Sequence, residues 1–459
     1  MQFDVAIVGC GASGAVAATQ LFRQAGRAIS VCCIEPSARL GAGLAYGRCG
    51  EEHLLNVPAS RISAIAGEDF DFVDWLKRRR LLDGEPDALF APRRVYADYL
   101  TDCLGRALRN AEHRHVIDHR DSLATALKPD RTNWRVLLAS GEMIEADAVL
   151  LALGNLRSSL PPAGLETLAG DRRYMHDPWQ LSRDRIKRDR PVAIVGSGLT
   201  AVDVVQSLIG GGHRATIDVV SRSGQWPAVH RIGLSGHPVH WPEGSLRRLL
   251  VELRRQLDFV ASSGGDWRTV IDSLRPHTQR LWQALPEADQ RRFRRRLSSA
   301  WNRARHRMPP AIHKALTTWQ REGRLRLHAA PALRAIPSDR EIELELSAST
   351  SPLKVRRVIN ATGPALDLRR CEDSLLNGLF ADGRVRPGSL GVGLDADEDG
   401  RLIDRAGQTG TRLYALGPLL QGKLFESTAM PEIKVQAYRL ASTVLDELEH
   451  RGADLETIA

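Results

Sequence analysis

A strand running straight into a glycine turn and then a helix occurs twice in this chain of 459 residues. The first copy is Phe3-Asp4-Val5-Ala6-Ile7-Val8 followed by Gly9-Cys10-Gly11-Ala12-Ser13-Gly14. The second is Pro191-Val192-Ala193-Ile194-Val195 followed by Gly196-Ser197-Gly198-Leu199-Thr200-Ala201. In such a fingerprint the first glycine makes the turn and the second lets backbone approach a pyrophosphate. The third position, Gly14 or Ala201, allows close helix–strand packing. The pyrophosphate then sits on the first N–H groups of the helix, at Ala12 and Ser13 or at Leu199 and Thr200. One such site holds one dinucleotide. Two in one chain bring two dinucleotides face to face, the geometry for moving a hydride between them.

The copies differ where the adenosine ribose is read. The strand Ile29-Ser30-Val31-Cys32-Cys33-Ile34 ends in Glu35. A carboxylate there accepts hydrogen bonds from ribose hydroxyls and repels a 2′-phosphate. The corresponding strand of the second copy, Ala215-Thr216-Ile217-Asp218-Val219-Val220, runs into Ser221-Arg222-Ser223-Gly224 with no acid. A guanidinium and hydroxyls suit a 2′-phosphate. The first site therefore reads as FAD and the second as NADPH, with NADH as the alternative.

The expected fold class is α/β with two Rossmann-like dinucleotide-binding domains, the NAD(P)-binding one inserted into the FAD-binding one. Residues 1–160 form the first part of the FAD-binding domain. Its last strand is Ala146-Asp147-Ala148-Val149-Leu150-Leu151-Ala152-Leu153, preceded by a small hairpin made by Trp134–Leu138 and Gly141–Ile144. A polar crossing, 156–189, leads to an NAD(P)H-binding domain over 190–360 that carries a helical Arg-rich insertion. Val358-Ile359-Asn360-Ala361-Thr362-Gly363 closes its last strand with a further glycine turn. Residues 361–459 return to the first domain through Leu413-Tyr414-Ala415-Leu416-Gly417-Pro418 and a long C-terminal helix from the Met430 region. Gly363 and Gly417 are thus further cofactor-binding candidates.

Six scattered cysteines without a CxxC argue for a reducing compartment and against a redox-active disulfide. Cys10, Cys32 and Cys33 read as buried small residues. The chain opens on its first strand and has no apolar run of membrane-spanning length, so a cytoplasmic protein is expected. The formal charge of +9 comes without a nucleic-acid module. It reads as a surface that attracts an anionic cofactor and substrate. No metal site is expected, and the oligomeric state is not legible.

Five segments narrow the group further: Gly43-Leu44-Ala45-Tyr46-Gly47; His53-Leu54-Leu55-Asn56-Val57-Pro58-Ala59; Pro92-Arg93-Arg94-Val95-Tyr96; Arg305-His306-Arg307-Met308-Pro309-Pro310; and Glu426-Ser427-Thr428-Ala429-Met430-Pro431-Glu432-Ile433. Together with the two fingerprints they resemble the flavoprotein monooxygenase branch that includes FAD-dependent urate hydroxylase and aspartate N-monooxygenase. The resemblance covers nearly the whole chain. Two departures are Ala201 at the third glycine and Leu416-Gly417-Pro418 in place of the Gly-Asp of disulfide reductases, so no ribityl-binding Asp carries over. The resemblance implies that NAD(P)H reduces the flavin and that one oxygen atom of O₂ is delivered to substrate. Asn56 then becomes a catalytic and flavin-side candidate, and Tyr46 one that stacks or hydrogen-bonds near the flavin ring. Arg93 and Arg94 are candidates for FAD phosphate or a substrate carboxylate.

The stretch 225–330 is the least Rossmann-like part of the chain and is expected to cover the active site. His230 is a candidate proton relay. Arg291 to Arg307 holds eight arginines and no acid, more than one helix face accommodates, so much of it should be solvated. Arg305 and Arg307, beside the helix-stopping Pro309-Pro310, are substrate-binding candidates with Arg94. Trp282, Trp301 and Trp319 read as anchors between helices. Three function classes follow: a flavin monooxygenase, a flavin-dependent NAD(P)H reductase without oxygen insertion, and a nucleotide sensor without turnover. The monooxygenase is favoured. Its leading substrate is urate, a flat anion converted to 5-hydroxyisourate in purine breakdown. N-hydroxylation of an amino acid such as aspartate is the alternative.

Overall fold

The structure is a computed structural model that describes residues 2–130, 132–181, 188–234, 236–347 and 349–458. Part of the predicted crossing, 182–187, lies outside the described residues.

Strand Gln2–Val8 lies at the centre of the first sheet, parallel to Ser30–Ile34 on one side and to Met143–Leu151 on the other. Beyond Met143–Leu151 comes Thr409–Ala415, also parallel, from near the far end of the chain. The sheet therefore draws its strands from both ends of the sequence. A central parallel strand is covered on both faces, which is why Val5, Ala6, Ile7 and Val8 are all buried. Side chains alternate between the faces. Val5 and Ile7 join a core with Leu21, Phe22, Tyr96, Tyr99 and Leu440. Ala6 and Val8 join a second core with Trp134, Val136, Leu375 and Leu413, which Phe3 near the strand's start joins as well, outside the strict alternation.

The expected hairpin is present but differs in extent. Asn133–Leu138 pairs antiparallel with the first half of Met143–Leu151, and the same strand continues into the parallel part of the sheet. The segment thought to end the hairpin and the segment thought to be the last strand are thus one strand. Ile144, Ala146 and Ala148 stay buried along its whole length.

The second sheet has five parallel strands in the order Leu325–Ala329, Ile217–Ser221, Val192–Val195, Arg357–Asn360, Tyr174–Met175. All come from the middle of the chain, so the second Rossmann unit is inserted into the first. A small antiparallel sheet of Leu333–Pro337, Ile342–Leu346 and Leu353–Val355 was not foreseen.

Between Ile217–Ser221 and Leu325–Ala329 lies a set of helices that includes Trp267–Leu274, Glu287–Arg296 and Ser298–Arg305. Trp282 docks this insert on the first domain. Its ring stacks on Phe425 with centroids 4.6 Å apart, and its Nε1 donates to Gly422 O at 3.1 Å. Trp301 and Trp319 pack against separate apolar clusters. Cys10, Cys32 and Cys33 are buried. Among the described residues no helix is long and apolar enough to cross a membrane.

Candidate active site

In the first fingerprint, Gly9 has φ +87°, and its N–H donates to Ile34 O at 2.9 Å, fastening the turn to the neighbouring strand end. A Cβ on Gly14 would lie 2.2 Å from Gly9 O, so only glycine lets helix Ala12–Gln24 start so close to its strand. No side chain caps that helix at Gly11, which leaves its first N–H groups for an anion. The short helix Gly43–Gly47 presses on the same loop, where a Cβ on Gly11 would lie 3.0 Å from Gly43 Cα. Ser13 is buried. Gly417 lies against it, for a Cβ there would be 2.8 Å from Ser13 Oγ. Gly417 N donates to Gln436 Oε1 at 3.2 Å, so the C-terminal helix Met430–Ile458 also reaches this site.

Glu35 follows strand Ser30–Ile34 directly and is buried. Burial raises its pKa, opposed by the N–H groups of Ser37 and Cys10. Tyr46 lies with its ring centroid 5.1 Å from that of Tyr96, and burial pushes its phenol up to about 12.

The second fingerprint repeats the construction. Gly196 has φ +111°, and a Cβ there would lie 2.4 Å from Ala361 O. Ala201 is fully buried against the strand, which explains why alanine serves at the third position. Gly198 begins helix Leu199–Gly210 without a side-chain cap and faces open space. Leu199 and Thr200 form its first turn. Gly363, φ +99°, also borders open space. Asn360 Oδ1 accepts from Thr362 N at 3.1 Å and shapes the turn before it. At the end of Ile217–Ser221, Arg222 is exposed.

Asn56 and His230 meet where the two domains face each other. His230 Nε2 donates to the backbone carbonyl of Asn56 at 2.7 Å. A carbonyl only accepts, so Nε2 carries a proton and Nδ1 keeps its lone pair. Burial lowers the His230 pKa to about 4. The ring is therefore neutral at neutral pH. That makes it a poor proton carrier there, and the contact instead fixes the Asn56 segment.

The arginines divide into two groups. Arg94 lies on the surface with Glu51 at 2.6 Å, a pairing of little energetic weight. Arg305 is buried against Glu426, 3.2 Å away, whose other oxygen accepts from Trp301 Nε1. Arg307 is buried against Asp272 at 2.9 Å. The exposed basic face is formed by Arg291, Arg292, Arg295 and Arg296 instead, as expected for part of this run. Sequence reasoning passed over the acids that hold these cations, and passed over Asp203. The signal for Asp203 was present: it is the lone acid in the apolar helix Leu199–Gly210.

The fold and the two turns define a protein built on paired dinucleotide-binding domains. Residues 6–156 match the FAD-NAD(P)-binding family, so the class of cofactor is shown for that segment. No curated protein sequence matches the chain. Among solved structures, the reduced form of ornithine hydroxylase from Pseudomonas aeruginosa is similar at TM-score 0.67 and 18% identity, over 98% of this chain and 100% of that one. The ornithine N-hydroxylase of Kutzneria sp. 744, with reduced FAD, NADP⁺ and L-ornithine, gives TM-score 0.63 and 18% identity over 98% and 100%. L-lysine 6-monooxygenase from Pseudomonas syringae gives 0.62 and 18% over 97% and 99%. The chain has the fold of these flavoprotein monooxygenases.

Proposed function

We propose that the chain is an FAD-dependent monooxygenase that uses NADPH and O₂ to N-hydroxylate the amino group of a small amino-acid-like substrate. The balanced reaction is R–NH₂ + O₂ + NADPH + H⁺ → R–NHOH + H₂O + NADP⁺. The observation that carries this reading is the presence of two uncapped fingerprint helices, Ala12–Gln24 and Leu199–Gly210, in a fold shared over nearly the whole chain with ornithine and lysine hydroxylases. Residues 1–160 and 361–459 would hold FAD and 190–360 would hold NADPH. Bound flavin supplies hydride acceptance and oxygen transfer.

The residues around the first turn fit FAD. The uncapped N–H groups would hold the pyrophosphate, the Glu35 carboxylate would accept from the ribose, and Gly417 would allow close approach beside Ser13. The urate reading has less support. Arg305 and Arg307 are each matched by a carboxylate, which weakens them as ligands for a urate anion and for an amino-acid carboxylate alike. The structurally similar enzymes named for a substrate include hydroxylases of ornithine and lysine and a monooxygenase of cadaverine, all amines. Fold likeness alone does not settle chemistry, so the test is direct. Oxygen-dependent NADPH oxidation is followed with urate, xanthine, aspartate, ornithine and lysine, and products are weighed by mass spectrometry. A hydroxylamine product supports the proposal. 5-Hydroxyisourate from urate restores the other reading. NADPH oxidation that no substrate couples to product leaves a reductase.

A further inference from the structure

A cleft of about 570 Å³ opens just beyond the C-terminal end of strand Ile217–Ser221. Gly224, Gln225 and Trp226 line it from the turn that follows the strand. Leu327 comes from the adjacent strand, and Trp267 and Arg303 from the helical insert. In a Rossmann half, the adenosine ribose of a dinucleotide lies at this strand end.

The walls are fixed by the chain's own bonds. Gly224 N donates to Ser221 Oγ at 3.1 Å, and Ser197, inside the second fingerprint, donates from Oγ to Gln225 O at 2.8 Å. The turn that lines the cleft is thereby tied to the turn that faces the pyrophosphate. Gly224 has φ +57°, and a Cβ there would lie 2.8 Å from Ala329 Cβ, so glycine is required. Ala228 N donates to Arg303 O at 2.9 Å, and Met308 N to Ala228 O at 2.8 Å. These bonds bring Arg303 to the cleft from a distant part of the sequence.

Charge and orphaned polarity point to a ligand. Four arginines of the insert and its approach have protein carboxylates: Arg231 and Arg268 on Asp266, Arg305 on Glu426, Arg307 on Asp272. Among the described residues, Arg222 and Arg303 have none. Trp226 Nε1 is a buried donor with no partner among those residues. The cleft thus combines two indole side chains with one unneutralised guanidinium, that of Arg303, and no acid lines it; Arg222 follows directly on the same strand end and is exposed. Guanidiniums are the strong ligands of a phosphate dianion, and an indole face stacks on a flat base.

We infer that this cleft takes the adenosine 2′-phosphate end of NADPH, with Arg303 of the helical insert joining Arg222 as a determinant of donor specificity. This deepens the proposed function and rests on it. It assigns recognition of the donor to the insert as well as to the Rossmann unit.

The test uses the full-length protein and two probes, adenosine 2′,5′-bisphosphate and 5′-AMP, with titration calorimetry and tryptophan fluorescence as readouts. Wild type should bind the bisphosphate more tightly than 5′-AMP and show quenching. Arg303→Ala should lose that preference by about tenfold or more, the scale of a charge-assisted contact, while its 5′-AMP affinity and flavin content stay unchanged. Arg303→Lys should restore part of the preference. An Arg303→Ala protein that still discriminates like wild type overturns the inference. So does a wild type that binds both probes equally, although the second nucleotide site then stands. Failure of wild type to bind either probe overturns the second nucleotide site and the inference together.

Discussion

Arg93 and Asp203 join the two nucleotide-binding domains through a buried ion pair. Arg93 Nη1 lies 2.7 Å from Asp203 Oδ2 and Nη2 lies 3.1 Å from Oδ1. Arg93 begins helix Arg93–Asn110 of the first domain, and Asp203 lies in the second turn of the second fingerprint helix. Arg93 Nε donates to Leu54 O at 3.1 Å, and His53 Nε2 lies 2.9 Å from Ser207 Oγ. The segment that carries Asn56 is therefore tied to the helix proposed to hold NADPH. Burial raises the Asp203 pKa, opposed by Arg93 and His53.

Breaking this pair should be costly. Asp203→Ala leaves the Arg93 guanidinium in a dry interface with the Leu54 carbonyl but no counter-charge, a situation that costs about 3–5 kcal/mol. Urea denaturation should show that loss. The double variant Arg93→Met with Asp203→Leu should recover most of it, since a well-packed apolar pair avoids the desolvation of both charges. Stopped-flow reduction of the flavin by NADPH should slow in the double variant, because stability returns but the fixed geometry between domains does not. Reduction at the wild-type rate would show that the pair only stabilises.

Glu35 gives a separate expectation for flavin. Glu35→Gln keeps the shape but replaces a charged acceptor with a neutral amide. FAD binding should weaken by about 1.5–3 kcal/mol, the range for hydrogen bonds to charged groups. The ratio of flavin absorbance to protein after dialysis measures this, with circular dichroism to confirm folding. Undiminished flavin occupancy at low protein concentration would remove Glu35 from the ribose site.

Two half-buried histidines contribute to the pH dependence of stability. Burial holds both His230 and His306 at about 4, below the ordinary value of about 6.5. Above that ordinary value both folded and unfolded chains keep the rings neutral. As pH falls from about 6.5 toward 4 the unfolded chain takes up protons that the folded chain refuses, so stability falls, by at most about 1.4 kcal/mol per pH unit for each ring. Melting temperatures between neutral pH and that lower limit should decline accordingly. His230→Gln keeps a donor for Asn56 O and should flatten the decline. An unchanged profile in that variant would mean that His230 titrates normally.

Both glycine fingerprints were legible because binding a pyrophosphate imposes local demands. A turn, a close approach and a helix start must fall within six consecutive residues, and the sequence displays them together. The placement of Glu35 and Arg222, each at the end of the strand that follows its fingerprint, was legible in the same way. The pairs Arg93–Asp203, Arg305–Glu426 and Arg307–Asp272 were not, since each joins segments far apart in the chain. An arginine-rich run looks alike whether its side chains face water or a buried acid. Only the fold separates exposed Arg291 and Arg295 from buried Arg307.

Asn56 offers the sharpest division between structure and chemistry. Its backbone carbonyl is held by His230, so the peptide's position does not depend on its side chain. Asn56→Ala should therefore leave the loop, the bound FAD and flavin reduction by NADPH nearly intact. If the amide acts on the oxygen-transfer step, its loss spares the earlier steps and lowers only those that follow O₂. Electrons should then appear as hydrogen peroxide in place of hydroxylated product. The ratio of product to NADPH consumed, with peroxide assayed in parallel, measures this coupling. A ratio equal to wild type would leave Asn56 a structural residue, holding the turn before Pro58 and receiving the His230 hydrogen bond through its backbone alone.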